Sequence, residues 1–104
     1  MLFRSYQDRI DKINNSNALT DKLLVQYIEK DNLIILTYPP DSHPTGNIML
    51  YRPSDATLDI EYKVVSVGQI QKLNTKSLER GYWKIKIEWS SEGIEYYDEK
   101  TIVI

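Results

Sequence analysis

The chain has 104 residues, which suits one domain and hardly permits two. Thirteen basic and fifteen acidic residues leave a net charge of −2, which argues against a nucleic-acid surface, normally strongly basic. Cysteine is absent, so disulfides, thiolate catalysis and thiolate metal sites are excluded together.

Residues 2–17 read as a helix. Phe3, Tyr6, Ile10, Ile13 and Asn17 recur at three- and four-residue spacing, and Arg4, Asp8, Arg9, Asp11 and Lys12 fill the remaining arc. So thin an apolar stripe needs docking, an upstream helix or a partner to hold it. Asn14, Asn15, Ser16 and Asn17 should end the helix, because their side chains compete for backbone hydrogen bonds. Residues 1–20 therefore form a helix and break, and residues 21–104 a separate β-domain. No apolar run reaches the ~18 residues needed to cross a bilayer.

From residue 21 the period becomes that of strands. Leu23, Val25 and Tyr27 alternate with Leu24, Gln26 and Ile28, and Lys30, Asp31 and Asn32 supply a turn. LIILTY at 33–38 is apolar on both sides, as expected of a central or doubly covered strand. Pro39 and Pro40 stop it, and a loop runs to Gly46. Residues 47–51 form a third strand, and RPSDAT at 52–57 reads as loop or turn. In LDIEYKV the residues Leu58, Ile60, Tyr62 and Val64 share one face. A short strand interrupted near Gly68 is expected within 65–72, followed by a connection at 75–81.

The clearest alternation comes last. In GYWKIKIEW, residues Trp83, Ile85, Ile87 and Trp89 fall on one side, and Tyr82, Lys84, Lys86, Glu88 and Ser90 on the other. A turn at 90–93 then leads into IEYYDEKTIVI. A strand face carrying two tryptophans requires a second layer to cover it. Six or seven short strands, with turns every 8 to 12 residues and no crossover helices, predict an all-β fold. The expected architecture is an immunoglobulin-like antiparallel β-sandwich with a short N-terminal helix; a small barrel is the alternative.

Catalysis is poorly supported. The one histidine, His43, lies in the most loop-like stretch, and Ser42 beside it lacks the strained turn that activates a serine nucleophile. Only His43, Met49 and Met1 could attract copper, and a stable site needs about three or four ligands. No cofactor, metal or catalytic residue is therefore assigned. The eight tyrosines are more informative, and Tyr82, Tyr96 and Tyr97 are candidates for an interaction surface.

Three segments carry a resemblance: SYQDRIDKINNSNAL at 5–19, GNIMLYRPSD at 46–55 with LDIEY after it, and LERGYWKIKIEWSSEGIEYYDEKTIVI at 78–104. Tyr6-Gln7, Tyr51-Arg52-Pro53-Ser54-Asp55, and Gly81-Tyr82-Trp83 with Tyr96-Tyr97 match the pattern of the FixH-like proteins, which the chain resembles over nearly its whole length. These are small membrane-anchored bacterial proteins linked to assembly of cbb3-type cytochrome oxidase. The resemblance implies an inner-membrane anchor upstream of residue 1, absent from this chain, with the β-domain on the periplasmic side. It also implies copper delivery or maturation beside oxidase subunits or a copper-exporting ATPase. A non-enzymatic accessory protein acting by contact is the first expectation; a periplasmic copper carrier and an extracellular binding or adhesion module are the alternatives. The residues expected to meet a partner are Tyr6, Ile10, Ile13, Tyr51, Arg52, Asp55, Tyr82, Tyr96 and Tyr97.

Overall fold

The computed structural model describes the backbone of residues 2–65 and 69–104, and the side chains from residue 8 onward apart from 55–58 and 66–68. A helix, α1 (Leu2–Ala18), precedes seven strands: β1 (Leu24–Ile28), β2 (Leu33–Thr37), β3 (Thr45–Arg52), β4 (Asp55–Lys63), β5 (Ile70–Asn74), β6 (Tyr82–Ser91) and β7 (Ile94–Val103). The strands form two antiparallel sheets, ordered β1-β2-β5 and β4-β3-β6-β7. The connectivity is that of an immunoglobulin-like sandwich whose fourth strand pairs with the third, and no barrel closes.

The turns follow from their residues. After β1, a 3-10 turn at Glu29–Asp31 ends on Asn32 at φ 53, a left-handed conformation that asparagine tolerates. The turn at the end of β6 is tighter than the expected 90–93. Ser91 pairs with Ile94, and only Glu92 and Gly93 lie between, both at positive φ (54 and 79), which matches the twist of a two-residue hairpin. RPSDAT is likewise mostly strand. Pro53 and Ser54 alone form the turn, and Arg52 pairs with Asp55 past an irregularity after Leu50. The expected strand within 65–72 instead runs Ile70–Asn74; Gly68 lies outside the described residues.

The alternation of β6 sets the core. Trp83, Ile85, Ile87 and Trp89 are at most 3% exposed, and they face Ile34, Leu36 and Tyr38 of the other sheet's layer together with Ile48 and Leu50 of β3. Tyr38 meets Trp89 edge to face at 5.8 Å, and Tyr96 stacks on Trp89 at 4.4 Å. Each indole N–H has an acceptor: Trp83 Nε1 donates to the Glu79 carbonyl and Trp89 Nε1 to Asp98 Oδ2, both at 2.8 Å. At one edge Lys100 Nζ donates to the Val25 carbonyl and ties β7 to β1.

The helix departs from expectation in two ways. It continues through Asn14–Asn17 to Ala18, because Asn15 and Ser16 find partners on β7 rather than on their own backbone. Among its described side chains, it also docks mainly through polar ones. Arg9, Lys12, Asn15 and Ser16 reach the sheet, whereas Ile10 is half-buried and Ile13 is 37% exposed. The Tyr6 side chain lies outside the described residues.

Candidate partner surface

The residues of β6 that point away from the core define the outer face of the four-stranded sheet. Register places Met49 beside Lys86, Asn47 beside Glu88 and Tyr51 beside Lys84, with Glu61 flanking Met49 and Glu99 flanking Lys86. This face is charged in both signs and floored by aromatic and thioether groups.

α1 forms one wall. The Arg9 guanidinium sits 4.9 Å from the centre of the Tyr97 ring and 3.8 Å from Glu88, and Lys12 reaches Glu95 at 3.9 Å. Beyond Arg9 a cleft of about 290 Å³ opens, lined by Asn47, Met49, Glu61, Lys86 and Glu88. Lys86 Nζ lies 4.8 Å from the centre of the Tyr51 ring, and Lys84 pairs with Glu99 at 3.5 Å.

The expected contact residues separate into groups. Among the described side chains of this set Tyr82 is the most open, 67% exposed, and it lies two residues along β6 from the Lys84 that pairs with Tyr51. These two tyrosines share the outer face. Tyr97 also points outward, but α1 covers it and it is 5% exposed, while Tyr96 points inward and is 7% exposed. Neither of those rings is accessible in the chain as folded. Burial, then the hydrogen bond from its hydroxyl to Glu99 at 2.8 Å, raises the Tyr97 pKa above the ordinary tyrosine range.

Arg52 turns to its own chain. Its Nη1 is 2.9 Å from Glu79 Oε2 and its guanidinium lies 5.7 Å from the Trp83 ring centre, while Nε is buried without a partner. The backbone of Asp55 pairs with Arg52, and the Asp55 side chain lies outside the described residues. Sequence reading missed Arg9 and Ser16, which it left in the polar arc or the expected break. The alternation of β6 places Lys86 and Glu88 on its outward side, which is the sequence signal for them.

His43 and Met49 are both exposed but do not meet. Met49 lies in mid-strand, about 14 Å of extended chain beyond Thr45, and His43 is in the loop before it. Among the described residues no group of three or more His, Asp or Glu side chains could hold a metal ion. No described helix is long and apolar enough to cross a membrane.

No curated protein and no solved structure matches the chain. A family model described as FixH matches residues 4–103, from the first turn of α1 to the end of β7, and the chain belongs to the FixH family.

Proposed function

We propose that this protein is a non-enzymatic accessory factor for assembly or copper maturation of a cbb3-type cytochrome oxidase, working through protein contacts. The observation that carries this reading is the FixH match over residues 4–103. In it, an upstream anchor holds the protein in the inner membrane and the sandwich stands on the periplasmic side. The outer face of the four-stranded sheet meets the partner, an oxidase subunit or a copper-exporting ATPase. Tyr82 and Tyr51 supply aromatic area beside Lys84 and Lys86, a mixture suited to recognition without chemistry.

The test is genetic and spectroscopic. In the bacterium that carries this gene, Tyr82→Ala combined with Lys86→Glu is expected to lower assembled cbb3 oxidase several-fold, read from haem spectra and oxygen uptake. The level of the variant itself is read alongside, since Tyr82 is largely exposed whereas Lys86 lies 4.8 Å from the Tyr51 ring centre. Full oxidase levels after deletion of the gene count against the reading. Titration of the purified chain with Cu(I) under reducing conditions separates the copper-carrier alternative, which requires binding tighter than ~1 μM.

A further inference from the structure

The two outer faces of the sandwich differ in kind. Register sets three rows of three outward residues on the three-stranded sheet, and five of these nine are aliphatic: Leu24, Ile28, Leu33, Ile35 and Ile70. Lys72 is the one formal charge among them. An outward face in a half-solvated antiparallel sheet is ordinarily polar, and the opposite face of this molecule obeys that rule. Here Ile28, Leu33 and Ile35 are half-buried yet stand outside the cluster that forms the core. Exposure is greatest on the flanking strands, 55% at Leu24 and 44% at Ile70, and falls on the central strand β2. The apolar surface is therefore centred on β2 and open at its flanks.

Size and charge select its occupant. Five residues of strand and three strands give a face about 17 Å long and about 15 Å wide, far below the ~800 Å² per partner of a standard stable interface between proteins. Three turns of one helix, ~16 Å long and ~10 Å across, match it. A second copy of this chain brings no carboxylate on the same face, so stacking two copies would bury Lys72 without a counter-charge.

We propose that this face docks a single amphipathic helix of a protein partner, its apolar stripe lying along β2 and a carboxylate meeting Lys72. The surface is distinct from the one invoked for the function above, and it stands or falls separately from the oxidase role.

A helical peptide of about five turns, with one leucine stripe and a central glutamate, is titrated into the isotope-labelled chain and followed by amide chemical shifts. Saturable shifts confined to β1, β2 and β5 are expected. Ile70→Lys and, separately, Leu24→Lys should weaken binding about tenfold, the loss expected on removing one anchor from a small interface. Exchange of the peptide glutamate for lysine should weaken it as well. Absence of saturable shifts, or shifts mapping to the four-stranded sheet, overturns the proposal. So does sedimentation with phosphatidylglycerol–phosphatidylcholine vesicles that Ile70→Lys abolishes when the peptide does not bind, which would assign the face to a lipid surface. A concentration-dependent dimer lost in Ile70→Lys overturns it in favour of a second copy.

Discussion

Gly81 is where the most specific sequence motif becomes a physical constraint. It adopts φ 132, and its amide and carbonyl both bond to Ile104, closing the chain end onto the start of β6. A Cβ there would lie 2.6 Å from Arg52 Nη2, the group that spans Trp83 and Glu79. Gly81→Ala is therefore expected to lower stability by ~2 kcal/mol, part from backbone strain and part from displacing the guanidinium. In an Arg52→Ala background the displacement disappears and the strain remains, so the loss should shrink without vanishing. Urea denaturation of the four proteins reads both contributions; a change within ~0.5 kcal/mol for Gly81→Ala alone would rule the clamp out. Gly-x-Trp and RPSD were both visible as motifs in the sequence, but their contact was not. Arg52 meets Glu79, 27 residues further along the chain, and only the fold brings those turns together.

The placement of α1 belongs to the scale of elements. β7 is an edge strand, and α1 lies along it where a free strand edge would otherwise invite pairing. Ser16 Oγ accepts from the Tyr97 amide at 3.0 Å and donates to Asp98 Oδ2 at 3.1 Å, and Asn15 Nδ2 donates to the Glu95 carbonyl at 2.8 Å. Ser16 is 4% exposed, so Ser16→Ala leaves the Tyr97 amide without an acceptor, at a loss of ~1 to 2 kcal/mol. Hydrogen exchange at Tyr97 should accelerate markedly, whereas Ile13→Ser, on the exposed side, should leave both stability and exchange nearly unchanged. The reverse ranking would restore the apolar docking stripe. That stripe was the natural expectation, since periodicity reveals a helix and its apolar arc. It cannot reveal that the target is a strand edge, because strand order is not written in alternation. The two tryptophans of β6 were legible for the opposite reason: one strand carries the whole pattern. DAT at 55–57 and Ser90-Ser91 read as turn by residue type, whereas β4 and β6 run through them.

At the scale of the molecule, two tyrosines report on whether both layers are closed. Tyr38 lies between the sheets, 1% exposed, and its hydroxyl donates to Gln71 Oε1 at 3.0 Å. Gln71 also accepts from the Val65 amide and donates to the Lys63 carbonyl, so this hydroxyl belongs to the seam joining β5 to the end of β4. Tyr97 lies on the opposite surface of the four-stranded sheet, closed over by α1. Burial raises both pKa values above the ordinary 10.0, with Glu99 adding to the effect at Tyr97. A raised value means that the fold favours the neutral phenol. The associated stability is fully present below pH 10.0, the unfolded value, and is lost as pH rises through the folded values. Stability should accordingly hold level up to about pH 9.5 from these two groups and fall steeply above it. In an alkaline absorbance titration, two of the eight tyrosines should ionise only together with loss of the near-ultraviolet circular dichroism of the packed tryptophans. Tyr38→Phe should remove one from that late step, and Tyr97→Phe the other. Smooth ionisation of all eight near pH 10 with the tryptophan signal intact would mean that neither layer is closed as described.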